Sequence, residues 1–97
     1  MLEIRLQQNV LRFSGKLNRD TVAVHWPFHL LNQCKGEVLF DLAEVSHVDT
    51  AGLAWLLQVL AVARATGLEP TLQEMPMQLK KLAAVSDVLN LLPTADR

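Results

Sequence analysis

The feature that most constrains the fold is a short apolar strand that leads, through an acidic and hydroxyl-bearing turn, into a long helix. Residues 38–42 are almost entirely apolar, which is typical of a central strand buried on both faces of a sheet. The turn at residues 48–53 reads Val-Asp-Thr-Ala-Gly-Leu, and the apolar spacing after it predicts a helix over residues 53–64. Free backbone N–H groups and the positive end of the helix dipole meet at such a turn. The hydroxyl of Thr50 can therefore cap the helix or carry a phosphate.

A β-hairpin is predicted at the start of the chain. Residues 2–6 alternate between apolar and polar side chains, which is the pattern of a half-buried strand. A polar turn at residues 7–9 separates this strand from a second one over residues 10–14.

A helix is predicted after the hairpin. Asn18 or Asp20 can serve as its N-cap, and Gly36 closes it after about residue 33. Pro27 lies inside this span, so it must either kink the helix or restart it with the proline near the first turn.

The last third of the chain predicts a strand and one or two further helices. Residues 71–73 form a short strand, and Pro70 at its start indicates the edge of a sheet. Pro76 suits the first turn of a helix that runs to about residue 85. Ser86 can cap a last short turn over residues 87–92. The order ββαβαβα(α) predicts an α/β fold in which a mixed sheet with an opening hairpin is covered by three to four helices.

Length and composition predict one small domain, residues 1–97. The chain has 51% hydrophobic and 20% charged residues, a balance typical of folded proteins. Its net charge of −1 gives no support for electrostatic binding to nucleic acid or to anionic lipid. The N-terminus lacks a signal-peptide pattern, and no apolar run approaches the roughly 18 residues of a membrane span. Work at a membrane would therefore need another subunit to bring the protein there.

The helix after the turn has two apolar faces. One stripe should pack on the sheet and consists of Leu53, Leu56, Leu57 and Leu60. The other lies close to the opposite side and consists of Trp55, Val59 and Val62. A helix on a small sheet needs only one apolar stripe, so neighbouring helices cover the second stripe or a partner docks on it.

The turn itself allows a structural and a functional interpretation. Thr50 can cap the helix, although Asp49 can do the same instead. A residue at the entrance of a helix is also well placed for contact with a partner, so the two roles are compatible. Gly52 permits close packing of the backbone and also close approach of a partner.

Other chemistry has weaker support. Asp41 and Asp49 supply two carboxylates without a third ligand, which is a poor divalent-metal site, and a small enzyme based on them would lack a nucleophile or base. His25 and His29 stand four residues apart, but Pro27 interrupts the helix that a zinc pair would need. The single Cys34 cannot form an internal disulfide and fits a reducing compartment. Without a phosphate-binding loop, the chain is not expected to hydrolyse nucleotides or to need a cofactor.

The turn at residues 48–53, followed by Ala-Trp-Leu-Leu, resembles the signature of STAS domains. The likeness is greatest to the MlaB-type small subunit of the bacterial phospholipid-trafficking ABC transporter. This resemblance implies a non-catalytic subunit that binds a cytoplasmic, MlaF-like ATPase and supports its assembly or activity. The complex would also contain a permease and a substrate-binding subunit, and would maintain outer-membrane lipid asymmetry. The protein would then be cytoplasmic and peripheral to the inner membrane.

The same resemblance suggests which residues touch the partner. The expected contact comprises the signature turn and the second stripe of the helix: Asp49, Thr50, Ala51, Gly52, Trp55, Val59 and Val62. The alternative within the family is an anti-sigma-factor antagonist switched by phosphorylation of Thr50. Those antagonists usually have a serine at this position, whereas this chain has a threonine.

Overall fold

The computed structural model describes residues 1–25 and 28–94, without the side chain of Phe28. The strands are β1 (Leu2–Gln7), β2 (Val10–Leu17), β3 (Glu37–Val48) and β4 (Glu69–Gln73). The helices are α1 (Arg19–Val22), α2 (Phe28–Leu31), α3 (Thr50–Ala65) and α4 (Met77–Val85), followed by a 3₁₀ turn at Leu89–Leu91. This is the predicted order of elements, with the first helix divided in two.

The four strands form one mixed sheet in the order β1-β2-β3-β4. β1 and β2 are antiparallel, as predicted, and a two-residue turn joins them. Gln8 and Asn9 in that turn have φ values of 50° and 65°, as a type I′ hairpin turn requires. β2, β3 and β4 run parallel to their neighbours. The connections from β2 to β3 and from β3 to β4 move across the sheet in the same direction. Because both crossovers are right-handed, their helices lie on the same face of the sheet.

The sheet is buried on one face, so the expectation that residues 38–42 are buried on both faces is wrong. Val38, Phe40 and Leu42 are all 1% exposed or less and pack under the helices. Leu39 and Asp41 point to the opposite, open face and are half-buried. Apolar residues dominate this strand because its one buried face is at the centre of the core, while Leu39 is sheltered by neighbouring strands.

β3 continues six residues beyond its predicted end and runs straight into the signature turn. Its second half pairs with β2 up to the partners Leu17 and Val48. β2 is also longer than predicted, and its pairing with β3 shifts register on either side of Gly15. Such irregularities break the two-residue alternation of side chains, which is why the pattern did not reveal these strand ends.

The predicted first helix is two short helices. Asn18, one of the two expected caps, is the N-cap of α1, and its side-chain oxygen accepts a hydrogen bond from the backbone N–H of Thr21 at 3.0 Å. α1 ends at Val22, and α2 spans only Phe28–Leu31. The expected effect of Pro27 falls on a residue outside the described ranges.

The last elements follow the prediction with two changes at their caps. β4 lies at the sheet edge, as Pro70 indicated. Pro76 is the N-cap of α4 rather than a residue of its first turn, and Ser86 is the C-cap of α4 rather than the cap of a later turn. Beyond that helix, the backbone N–H of Leu72 donates to the carbonyl of Pro93 at 2.6 Å, so the C-terminal segment covers part of the outer edge of β4.

Candidate functional site

Asp49 joins the starts of two helices. It is the N-cap of α3, and one carboxylate oxygen accepts the backbone N–H of Gly52 at 2.8 Å. The other oxygen accepts the backbone N–H of Arg19, the first residue of α1, at 3.2 Å. The backbone N–H of Asp49 donates to the carbonyl of Leu17 at 3.0 Å. Parallel strands β2 and β3 end side by side here, so their following helices begin side by side as well.

The carboxylate of Asp49 is held in its ionised form. Partial burial raises the pKa of Asp49, but hydrogen bonds from the backbone N–H groups of Gly52 and Arg19 lower it, as do the electrostatic interaction with His47 and the N–H of Ala51. The net result is that the pKa of Asp49 lies below its ordinary value. A fixed negative charge therefore sits at the entrance of α3, where the helix dipole favours it.

Thr50 is exposed at the first position of α3. Of the two expected caps of this helix, Thr50 and Asp49, the structure selects Asp49. The difference arises from backbone conformation: Asp49 is extended, with φ −113° and ψ −176°, as an N-cap must be, while Thr50 is already helical. The Thr50 side chain is therefore presented to solvent and is not needed to start the helix.

An open depression of about 500 Å³ surrounds Thr50. Its lining comes from two connections, and consists of Asn18, Arg19, Asp20, His47, Asp49, Thr50 and Ala51. Sequence reasoning assigned the last three to the site and missed the other four, of which Asn18 and Asp20 had been considered only as helix caps. The available signal was that two N-cap residues, Asn18 and Asp49, each follow a strand; parallel pairing of those strands would bring both turns to one edge.

Gly52 serves packing between the start of α3 and the end of β2. It is buried, and a Cβ at this position would overlap the carbonyl oxygen of Leu17 and lie 2.7 Å from its carbonyl carbon. Glycine thus lets the start of α3 press against the end of β2, as one of the two expected roles requires. Its burial removes it from any docking surface.

Trp55 and Val59 belong to the core, and their assignment to a docking surface is wrong. Trp55 is 6% exposed and Val59 is fully buried, while Val62 is half-buried against the core. The ring of Trp55 meets Phe13 edge-on, with centroids 6.1 Å apart, and its indole N–H donates to the carbonyl of His25 at 2.8 Å. The segment after α1 therefore covers this side of α3, which is the alternative in which neighbouring elements cover the second stripe.

The exposed face of α3 carries mostly small side chains. Thr50 starts it, and it continues with Ala54, Gln58, Ala61 and Ala65, with the exposed cation of Arg64 beside it in the last turn. We call this set, with Asp49 and Ala51 at its start, the signature surface. Small side chains make it nearly flat, so another protein can approach the helix closely.

The other chemical candidates are far apart. The side chain of Asp41 lies 3.6 Å from Arg12 Nε and accepts the N–H of Ala43 at 3.0 Å. Eight residues of extended chain, roughly 25 Å, separate Asp41 from Asp49. His25 lies beyond the end of α1 and His29 in α2, so they do not share one helix. No cluster of three or more metal-binding side chains occurs in residues 1–25 and 28–94.

Cys34 is a buried thiol rather than a nucleophile. It is 6% exposed, and its Sγ donates to the carbonyl of Leu30 at 3.5 Å. Burial raises the pKa of the Cys34 thiol, so the reactive thiolate is disfavoured. In the part of the chain that the structure describes, no helix is both long and apolar enough to span a membrane.

Comparison with known proteins identifies the family of the chain. A family model described as "Mlab, STAS domain" matches residues 1–93. The chain belongs to this STAS family. It is 38% identical over 65 residues to the intermembrane phospholipid transport system binding protein MlaB of Escherichia coli K12, and equally to that of Shigella flexneri. Each match covers 67% of this chain and 66% of the relative, just under two thirds of its length.

Solved structures share the STAS fold at low sequence identity. A crystal structure of a candidate anti-sigma-factor antagonist from Thermotoga maritima covers 99% of this chain and 86% of its own, with a TM-score of 0.75 and 15% identity. The antagonist SpoIIAA in its unphosphorylated form covers 100% of this chain and 90% of its own, with a TM-score of 0.68 and 13% identity. At such identities the likeness shows the fold and carries no function.

Proposed function

We propose that this protein is a non-catalytic subunit of an intermembrane phospholipid transport system. It would bind the cytoplasmic, MlaF-like ATPase of an ABC complex that also contains a permease and a substrate-binding subunit. Such a location would be peripheral to the inner membrane, reached through the ATPase. Similarity to the MlaB relatives supports the transport system, since their names place them in it.

The observation that carries the docking site is the exposure of Thr50 beside a cap that belongs to Asp49. Because the Thr50 hydroxyl does not cap the helix, it is available for a hydrogen bond to the ATPase. The neighbouring depression offers further hydrogen-bonding groups, and the flat face of α3 admits close approach. We therefore place the ATPase contact on the signature surface, with Trp55 and Val59 supporting it from below.

The test is binding of Thr50 variants to the ATPase of the same transporter. Thr50→Ser keeps the hydroxyl and should bind nearly normally, Thr50→Ala should bind less well, and Thr50→Glu should lose about tenfold or more because it desolvates an unpaired carboxylate. Ala84→Glu is the matched control, because it adds the same charge at an exposed position of another helix, α4, outside the signature surface. Affinity and thermal stability are measured together. Wild-type affinity of Thr50→Glu would remove Thr50 from the interface.

The absence of catalytic activity can be tested separately from binding. Purified alone, the protein should not hydrolyse ATP, whereas adding it to the ATPase should change the rate of hydrolysis or the yield of assembled complex. ATP turnover by the isolated chain that disappears in Asp41→Asn or Asp49→Asn would contradict the non-catalytic role.

A second candidate is an anti-sigma-factor antagonist switched by phosphorylation of Thr50. The observation in its favour is again the exposed hydroxyl at the start of α3, where the helix dipole favours a phosphate. The ionised carboxylate of Asp49 beside it opposes the added charge. Incubation with a cognate anti-sigma kinase and mass spectrometry separates the two functions: incorporation of phosphate at Thr50, lost in Thr50→Ala, favours the antagonist.

A further inference from the structure

β1 forms one outer edge of the sheet. Among the described strands it pairs only with β2, whereas the opposite edge, β4, is partly covered by the bridge between Leu72 and Thr94. An uncovered edge strand presents backbone N–H and C=O groups that can pair with another strand.

The hairpin register decides which backbone groups face outward. Gln7 and Val10 flank the two-residue turn, so they form a hydrogen-bonded pair, and every second pair along the ladder does the same. The backbone of Met1 obeys this rule, because its carbonyl accepts the N–H of Lys16 at 3.0 Å. The odd-numbered residues of β1 therefore bond to β2. Leu2, Ile4 and Leu6 direct their N–H and C=O groups toward the free edge.

The side chains of β1 make this edge complementary to itself. Glu3 and Arg5 are exposed on the open face of the sheet, where Arg5 Nη2 lies 3.2 Å from Glu3 Oε2. If two copies of β1 lie antiparallel about a two-fold axis at Ile4, Glu3 of each copy stands opposite Arg5 of the other. Along the joined edge the four charges then alternate in sign in a square, while within its own hairpin Arg5 also stands opposite Arg12, which is paired with Asp41.

The same register suits the apolar face and the backbone. Ile4 would lie opposite Ile4 of the second copy, and Leu2 opposite Leu6, on the face where Leu2 is already 3% exposed and Ile4 and Leu6 are half-buried. Ile4 of each copy would form a hydrogen-bonded pair, as would Leu2 with Leu6, for about six backbone hydrogen bonds in all. No shift of register is needed to satisfy the backbone, the charges and the apolar side chains together.

From this agreement we propose that β1 is a self-association edge, through which two copies of the protein join their sheets into one continuous antiparallel-paired sheet. We expect the strand that binds this edge to be β1 of a second copy, because a two-fold axis at Ile4 places Glu3 of each copy opposite Arg5 of the other. An edge with charges of one sign would repel its own copy. The contact involves the backbone of β1 and its side chains on the two faces of the sheet, so it leaves the signature surface free.

Reversal of charge provides the test, since both side chains are exposed and contribute little to the fold. In Arg5→Glu the edge carries two acids, and in Glu3→Arg two bases, so each variant should fail to self-associate. The double variant, Glu3→Arg with Arg5→Glu, restores opposite charges across the axis and should self-associate again. A mixture of the two single variants should form a heterodimer, because each supplies the charges that the other lacks.

Sedimentation velocity over a range of concentrations, at low and high salt, measures these states, with circular dichroism as a check of folding. The expected result is a concentration-dependent wild-type dimer that weakens with salt, monomeric single variants, and recovery both in the double variant and in the mixture. A wild type that stays monomeric up to about millimolar concentration overturns the proposal. A dimer that persists unchanged in Arg5→Glu, or a mixture that does not associate, overturns it as well.

Discussion

The carbonyl oxygen of Leu17 occupies the space that a Cβ on residue 52 would need. Leu17 is the last residue of β2 and Gly52 lies in the first turn of α3, so this contact sets how closely the helix approaches the sheet. It also brings the signature turn against the start of α1, where Asp49 bonds to Arg19. The position of Thr50 in its depression thus depends on residue 52 being a glycine, which has no side chain to hold the helix away from β2.

Replacement of Gly52 by alanine should destabilise the protein by about 1–3 kcal/mol, since backbone must shift to admit the methyl group. Denaturant unfolding measures the change. Ala54→Ser is the control, because it adds one atom at an exposed position of the same helix and should have little effect. Equal stability of Gly52→Ala and wild type would mean that β2 and α3 are less tightly packed than the structure indicates.

Asp49 and Thr50 should differ in their effect on stability. Asp49→Ala removes the N-cap of α3 and should cost about 1 kcal/mol. Thr50→Ala removes an exposed hydroxyl and should stay within about 0.5 kcal/mol of wild type. Chemical denaturation of both variants at neutral pH compares them directly. A larger loss of stability in Thr50→Ala than in Asp49→Ala would indicate that Thr50, not Asp49, caps α3.

Stability at low pH should report the charge of Asp49. Because the pKa of Asp49 in the folded protein lies below its value in the unfolded chain, ionisation of Asp49 stabilises the fold at pH values above the unfolded pKa. The contribution is lost as pH falls through the folded pKa. In the variant Asp49→Asn, the side-chain amide still caps the helix but does not titrate, so wild type should lose more stability than this variant on acidification. Melting temperatures of the two proteins between about pH 2 and 6 test this; parallel curves would contradict it.

Trp55 should behave as a core residue. Trp55→Ala should cost about 3–5 kcal/mol, while Trp55→Phe keeps most of the apolar volume but loses the hydrogen bond to the carbonyl of His25. Loss of that bond leaves a carbonyl without its donor, at a cost of about 1–3 kcal/mol. Thermal and denaturant unfolding measure both. A folded, fully stable Trp55→Ala that only fails to bind the ATPase would support the docking role that burial contradicts.

Local rules accounted for much of the fold. The alternation in residues 2–6 and the polar turn predicted the hairpin, and Pro70 predicted the edge position of β4. Asn18, one of two candidate caps, marked the start of α1. These succeeded because hydrophobic period, proline geometry and capping act over a few residues. The ends of β2 and β3 were missed because register shifts beside Gly15 disturb the alternation.

Only part of the candidate site could be predicted, because sequence patterns report on residues that are close together in the chain. Residues 49–51 could be found because they are contiguous and begin a helix. Arg19 reaches the same depression through the pairing of parallel strands β2 and β3, which brings residues far apart in the chain to one edge. His47 was missed because it lies in the part of β3 beyond the predicted end of that strand.

The sequence by itself determined the order of elements, the place of the signature turn, and the family resemblance that this turn carries. Only the tertiary structure decided that Asp49 rather than Thr50 caps α3, and that Trp55 faces the core. A helical pattern gives the angle between side chains but not which angle faces outward. On α3 that was settled by the sheet below and by the segment at His25 beside it, whose packing no local pattern encodes.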